Sequence, residues 1–287
     1  MTGPAESRRA PFEPLASRVL EAARAAVGFM PDAEGLALAR LAGQVPTLPP
    51  GGGGDVIVEI GAYCGRSTLY LSYGILAALG DVPPGGRSPS AGQSPSAGQS
   101  PSAGQSPSAG QSPSAGQSPS AGQSPSAGQS PSAGRPVVLS VDHHHGSEEM
   151  QAGWEHHHGE FVDPGTGVMD TLPTWRHNIA SAGVESLVIG VIGDSQTVAT
   201  SVSCVAGLVF IDGGHGSQPA WADYHCWAPR VALGGWLAIH DVFPDPADGG
   251  RPPFEVYMQA LHSGAFREEH ELHCGSLRVL RRVSSGV

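Results

Sequence analysis

The sequence predicts an α/β protein with a Rossmann-like, doubly wound sheet of about seven strands, mostly parallel with an antiparallel last strand, plus N-terminal helices. Two observations carry this prediction. Short apolar, β-branched runs alternate with stretches of helical periodicity, the pattern of a parallel sheet covered on both faces. An acidic residue also lies within two positions of the end of each of the five central runs. Ligands bind at the carboxyl ends of strands in such sheets.

The predicted elements follow from these runs in order. Strands are expected at 56–60, 137–141, 187–192, 208–212 and, after a Gly-Gly turn, 237–240. Helices are expected at 15–27 and 33–41 ahead of the sheet, and at 67–79, 171–182, 195–201, 218–228 and 253–262 within it. The runs 267–273 and 277–282 are close enough in sequence to form a closing antiparallel hairpin.

Three regions are expected along the chain. Residues 1–50 are predicted to be an N-terminal helical extension or cap, and residues 51–283 the main domain. Residues 81–135 are an insertion, in which the hexapeptide Ser-Pro-Ser-Ala-Gly-Gln runs seven times from Ser88 to Gln129. This repeat has no apolar side chain larger than Ala and cannot bury a core, so we expect a disordered, low-complexity excursion.

Composition excludes several classes of function. The formal net charge is −11, and all 15 basic residues are Arg, without a basic stripe, which argues against nucleic acid as a partner. No apolar run is long enough to span a membrane. The four cysteines, at 64, 204, 226 and 274, form no C-x-x-C pair, which argues against a zinc knuckle or a disulfide framework. These features predict a cytoplasmic protein with reduced thiols.

A glycine-rich loop follows the first strand, with the spacing Glu59-x-Gly61-x-x-x-Gly65-x-Ser67. Glycines allow a sharp bend and a close approach of backbone to a ligand, and the next helix supplies free N–H groups. The three-glycine fingerprint for a dinucleotide pyrophosphate is not present, which disfavours an NAD-dependent oxidoreductase. The wider spacing suits an adenosyl ligand without phosphate. A plain tight turn in another α/β enzyme is the alternative.

The segment from Glu59 to Thr68 resembles the first motif of class I S-adenosylmethionine-dependent methyltransferases. Its Gly-Ala-Tyr-Cys-Gly string is especially similar to catechol O-methyltransferase. The resemblance implies S-adenosyl-L-methionine as cofactor, with Asp142 on the ribose and Asp194 at the adenine, although Asp194 also fits a plain helix N-cap. The implied cofactor-binding set is Glu59, Gly61, Ala62, Tyr63, Gly65, Ser67, Thr68, Asp142, His143, Asp194, Ser195 and Asp212.

The same resemblance implies a metal-assisted reaction. Asp212 and Asp241 match metal-ligand positions of the catechol-type enzymes, and His240 departs from the acid expected beside Asp241. Mg²⁺ suits the carboxylates, whereas a ligating His would favour Mn²⁺ or another transition metal. His215 occupies the position of the general base, as in metal-dependent sugar O-methyltransferases. His215 and His240 are therefore the predicted catalytic residues, with a helix-capping role and a buried structural role as their respective alternatives.

The predicted function is O-methylation of a small hydroxylated acceptor, with a sugar or glycoside ahead of a phenol. A homo-oligomer is compatible with the sequence. Two alternatives are open: a metal-independent methyltransferase of the same fold, and a non-catalytic protein that binds S-adenosylmethionine. The His-rich loop 143–160 is read as pocket lining, as a second metal site or as solvated surface. Trp154 and Trp175 could stack on a ligand or belong to the core.

Overall fold

A computed structural model describes residues 14–45, 54–80, 136–154, 156–245 and 251–285. The helices are α1 (Leu15–Ala25), α2 (Asp32–Ala42), α3 (Arg66–Leu79), α4 (Leu172–Ala182), α5 (Ser195–Ser201), α6 (Ser217–Trp227) and α7 (Pro252–His262). The strands are β1 (Val56–Ile60), β2 (Val137–Asp142), β3 (Val188–Ile192), β4 (Ala206–Ile211), β5 (Val231–Ile239), β6 (Phe266–Glu268) and β7 (Arg278–Arg282). The predicted repeat insertion at 81–135 and residues 46–53 lie outside the described residues.

The strands form one sheet in the order β3-β2-β1-β4-β5-β7-β6. The first five in this order pair in parallel, and β7 pairs antiparallel with both β5 and β6. The predicted doubly wound, mostly parallel sheet with an antiparallel last strand is confirmed. Its central strands carry almost continuous β-branched and apolar side chains because both of their faces are buried.

Two apolar cores cover the two faces of this sheet. Helices α1 to α4 pack in one core, and α5, α6 and α7 pack in the other. The N-terminal helices α1 and α2 therefore share the main core and lie against α3. Trp175 is 7% exposed in the first core, so the core interpretation is correct for this residue. No helix in the described ranges is long and apolar enough to cross a membrane.

Two predicted boundaries at the far edge of the sheet were wrong. Strand β5 begins at Val231, and Gly234–Gly235 lies inside it as an irregularity in the pairing with β4, where a turn was expected. Gly234 has φ +79°, which lets the strand bulge without ending. Strand β6 covers only Phe266–Glu268, because a 3₁₀ turn at His270–Leu272 takes up the rest of the predicted run.

Candidate active site

The carboxyl ends of strands β1 to β5 surround a cavity of about 840 Å³. The loop that follows each of these five strands forms part of the cavity wall, because the parallel topology brings the five loops to the same edge of the sheet. The lining includes Ile60–Tyr63, Val141–His143, Gly193–Gln196, Asp212–Gly216 and His240–Asp241. Of the twelve predicted cofactor-binding residues, nine line this cavity: Gly61, Ala62, Tyr63, Ser67, Asp142, His143, Asp194, Ser195 and Asp212. The predicted catalytic and metal residues His215, His240 and Asp241 line it as well.

Gly61 is required by the close approach of two of these loops. It has φ +87°, and a Cβ at this position would overlap the backbone carbonyl of Asp212. Its N–H donates to the carbonyl of Val141 at 3.0 Å. The loop after β1 is thus fixed between the ends of β2 and β4, with no room for a side chain.

Asp142 organises the glycine loop from the end of β2. Its Oδ2 accepts the N–H groups of Ala62 and Tyr63, each at 2.8 Å, and its Oδ1 accepts the N–H of His144 at 2.7 Å. A carboxylate has about four acceptor positions, so three are used. One acceptor position of Asp142 is therefore free for a ligand hydroxyl.

Glu59, Gly65 and Thr68 do not line the cavity. Glu59 is fully buried, and its Oε2 accepts the hydroxyls of Thr68 and Ser140, each at 2.6 Å. Its Oε1 is buried without a hydrogen-bond partner. Burial raises the pKa of Glu59 to about 7. We expect these three residues to shape the loop rather than to touch a ligand.

Asp194 caps helix α5 with its side chain, which accepts the N–H of Thr197 at 3.0 Å. The N-cap alternative therefore describes its observed contact, while the residue also lines the cavity. The hydroxyl of the neighbouring Ser195 donates to Asp223 of α6. Burial raises the pKa of Asp223 to about 6. Asp223 also lines this end of the cavity, and no sequence motif marks it because it lies in the middle of a helix.

At the ends of β4 and β5, Asp212, His240 and Asp241 each place one ligand atom within 4.8 Å of the others. His240 Nδ1 lies 3.0 Å from Asp212 Oδ1 and 3.2 Å from Asp241 Oδ2. His240 Nδ1 is buried and makes no hydrogen bond of acceptable geometry. The two carboxylate oxygens therefore lie off the line along which this nitrogen would form a hydrogen bond. Two carboxylates and one imidazole nitrogen arranged in this way fit a divalent cation, and the nitrogen favours a transition metal.

His215 stands beside this cluster, on the loop after β4. Its Nε2 lies 2.9 Å from Asp241 Oδ2, and its Nδ1 lies 3.6 Å from Glu149 Oε1. Burial lowers the pKa of His215, but the hydrogen bond and charge of Asp241 outweigh burial, and the pKa is raised. The imidazole is therefore within the site and coupled to a predicted metal ligand. No bond of its side chain to the start of α6 is seen among the described residues.

His240 has a different position from that of a base. It is 4% exposed, and its Nε2 lies 2.5 Å from Glu34 Oε2, a carboxylate of α2. One ring nitrogen of His240 contacts Glu34 and the other faces two carboxylates, an arrangement that suits a metal ligand better than a proton acceptor. The buried structural contact foreseen for His240 exists too, and its partner was missed because it lies 206 positions earlier in the chain.

Five aromatic and imidazole rings cluster over the glycine loop. Phe29 lies 5.5 Å from Tyr63 and 4.8 Å from His156, centroid to centroid. His158 and Phe161 join the same cluster, stacked at 5.8 Å. Phe29, Tyr63, His156 and the 62% exposed Trp154 line the cavity. The loop between α1 and α2 thus supplies part of the wall, which the sequence did not indicate.

The histidines of the His-rich loop 143–160 have different environments. His143 is exposed and lines the cavity, whereas His144 is 3% exposed and bonds Thr171 Oγ1 at 2.9 Å. In the parts of the chain that the structure describes, the groups with metal-ligand spacing do not include this loop. Pocket lining is the interpretation that fits His143 and His156.

Among the residues that the structure describes, three other than glycine have left-handed backbone conformations: Tyr63, His144 and Asp241, with φ of +48°, +62° and +53°. Such residues cost free energy and gather where a site is held in place by its surroundings. Here Tyr63 and Asp241 line the cavity, and His144 adjoins its wall at Asp142 and His143. The strain indicates that this edge of the sheet is the functional one.

Comparisons with known proteins identify a similar domain and a common fold. Residues 127–242 match a family model described as a methyltransferase domain. The O-methyltransferase NovP superposes with a TM-score of 0.52 at 13% identity, covering 88% of this chain and 80% of that chain. The methyltransferase PaMTH1 of Podospora anserina, in its SAH-bound structure, gives 0.51 at 10% identity, covering 97% and 92%. At these identities the two structures show a common fold.

Proposed function

We propose that the chain is a class I S-adenosylmethionine-dependent methyltransferase that O-methylates a small hydroxylated acceptor with the help of a divalent metal. The match of residues 127–242 to a methyltransferase-domain model and the fold shared with NovP support this proposal. The observation that carries the proposal is the cluster of Asp212, His240 and Asp241 at the cavity wall, with His215 beside it. A non-catalytic binding protein has no need for this arrangement beside the cavity.

The methyl donor fits the end of the cavity formed by the glycine loop. Gly61, Ser67 and Asp142 border this part, and Ser195 with Asp223 continues the wall. We propose that Asp142 accepts a ribose hydroxyl and that the adenine lies toward Ser195. The carboxylates around the cavity favour the positive sulfonium by charge.

In the reaction, the acceptor oxygen bonds the methyl carbon, the carbon–sulfur bond breaks, and the hydroxyl proton passes to a base. A metal held by Asp212, His240 and Asp241 would lower the pKa of the acceptor hydroxyl. His215 is the proposed proton acceptor, and Asp241 stabilises its charged form. The cavity wall orients acceptor and donor so that the transfer occurs in line.

We propose a sugar or glycoside with adjacent hydroxyls as the acceptor, with a phenol as the second class. Phe29, Trp154 and His156 offer exposed rings at the cavity, and such rings bind the flat faces of sugars and phenols. Glu148 and Glu149 also line the wall and are able to accept hydrogen bonds from hydroxyls.

The test measures transfer of a labelled methyl group from S-adenosylmethionine to panels of glycosides and catechols, with and without EDTA. We expect turnover that EDTA abolishes and that Mn²⁺ or Mg²⁺ restores. EDTA-insensitive turnover would remove the metal from the mechanism. Binding of the donor without turnover on any acceptor would favour the non-catalytic alternative.

The base role is tested by His215→Ala, with the exposed His225→Ala on α6 as its control. We expect turnover to fall roughly 10²–10⁴-fold, the usual contribution of a general base, while binding of the donor is retained. His225→Ala should behave as the native enzyme. Native turnover in His215→Ala would exclude it as the base.

A further inference from the structure

Glu34 of α2 is a buried carboxylate that methyl transfer itself does not use. It is 5% exposed, its Oε2 lies 2.5 Å from His240 Nε2, and its Oε1 accepts the N–H of Ser276 at 2.6 Å. Gly275 has φ +53°, and a Cβ there would overlap Glu34 Oε1. The turn before β7 is therefore shaped around this carboxylate.

The contact with Glu34 decides which nitrogen of His240 faces the cluster. Since Nε2–H donates to Glu34, Nδ1 is the ring nitrogen that lies among Asp212 and Asp241. A carboxylate behind a ligating histidine fixes the tautomer and the ring orientation and makes the free nitrogen a better ligand. Helix α2 thus reaches the cluster through one side chain.

We propose that Glu34 is a positioning residue that presents His240 Nδ1 as a metal ligand and so makes the centre prefer Mn²⁺ to Mg²⁺. This inference rests on the proposed metal-assisted function, because it concerns the same cluster. A site of carboxylates alone suits Mg²⁺, and an imidazole nitrogen shifts the preference toward transition metals.

The informative substitution is Glu34→Gln, which keeps the shape of the side chain. If the amide oxygen stays on the Ser276 N–H, the amide nitrogen faces His240 Nε2 as a donor. The ring must then accept at Nε2 and carry its proton on Nδ1, where it can no longer bind a metal. Glu21→Gln, at an exposed position of α1, is the matched control.

Two measurements are made on the full-length protein. Calorimetry gives the affinities for Mn²⁺ and Mg²⁺, and pulsed electron paramagnetic resonance with less than one equivalent of Mn²⁺ detects a directly bound imidazole nitrogen. For the native protein and Glu21→Gln we expect tighter binding of Mn²⁺ than of Mg²⁺, with nitrogen coupling. For Glu34→Gln we expect roughly 10–100-fold weaker Mn²⁺ binding, loss of the preference, and loss of nitrogen coupling.

The coupling must also persist in His215→Ala, which removes the neighbouring imidazole as its source. Even where Glu34→Gln fails to fold, this spectrum and the native one test whether an imidazole nitrogen other than that of His215 binds the metal. Native protein that binds Mn²⁺ without nitrogen coupling would overturn the inference and leave the proposed function standing. No metal binding at all would overturn both. Unchanged coupling and selectivity in folded Glu34→Gln would reduce Glu34 to a structural contact.

Discussion

Glu59 lies at the end of β1 with no exposure to solvent, and one of its oxygens has no partner. Burial raises its pKa to about 7 from the model-peptide value of 4.5. Below pH 4.5 the residue is neutral in both folded and unfolded states. Between pH 4.5 and 7 the unfolded chain releases the proton first, so stability falls as pH rises through this window.

Glu59→Gln should remove this dependence, because Gln resembles the neutral acid and does not titrate. We expect the variant to be more stable than the native protein at pH 8, by up to about 3 kcal/mol, with the difference vanishing toward pH 4.5. Urea unfolding from pH 5 to 8 measures it. The exposed Glu185→Gln is the control. A pH-independent difference between Glu59→Gln and the native protein would show that the carboxyl does not titrate in this range.

The acids at the strand ends were predictable as single residues. Glu59, Asp142, Asp212 and Asp241 each follow an apolar run, and position in a parallel sheet then brings them to one edge. Glu34 was not predictable in this role, since it lies on a helix with no motif and meets His240 only through the packing of α2. Local sequence carries no signal for a contact of that range.

Helices α2 and α3 approach each other closely at two glycines. A Cβ at Gly74 would overlap the backbone carbonyl of Ala39, and one at Gly35 would overlap the ring of Tyr70. Because glycine has no side chain, the backbones of the two helices come close together at these points. The approach matters for the site because α2 carries Glu34.

Gly74→Ala tests this packing. In a free helix the change would add about 1 kcal/mol of stability, but here the methyl group must push α2 away from α3. We expect a net loss of about 1–3 kcal/mol, as for overpacked cores, together with weaker Mn²⁺ binding. Urea unfolding and calorimetry measure both, with Ala77→Ser on the exposed face of α3 as the control. A variant of equal or greater stability would contradict the packing.

The bounds of helices and strands were predicted well where the apolar residues follow a single helical or strand periodicity. The parallel strands and their helices have long apolar patterns and were placed within one or two residues at most ends. The start of β5 was missed because Gly234–Gly235 reads as a turn, and only the neighbouring strand reveals a bulge. The length of β6 was missed because its pairing with β7, rather than its own residues, sets where it ends.

For the whole molecule, we expect the repeat segment to contribute nothing to the stability of the fold. Deleting residues 88–134 should leave the thermal midpoint and the affinity for S-adenosylhomocysteine unchanged, because the segment has no side chain able to pack. The prediction rests on the sequence, since the segment lies outside the described residues. Soluble yield and thermal unfolding check it. Loss of soluble protein on deletion would assign the segment a structural role.

We propose that the carboxyl edge of the sheet binds an adenosyl methyl donor. Calorimetric titration of S-adenosylhomocysteine into the native protein is the decisive test. We expect one molecule bound per chain, and loss of binding in Gly61→Ala, whose methyl group would collide with the backbone of Asp212. No heat of binding for the native protein, or full affinity in Gly61→Ala, would contradict the claim.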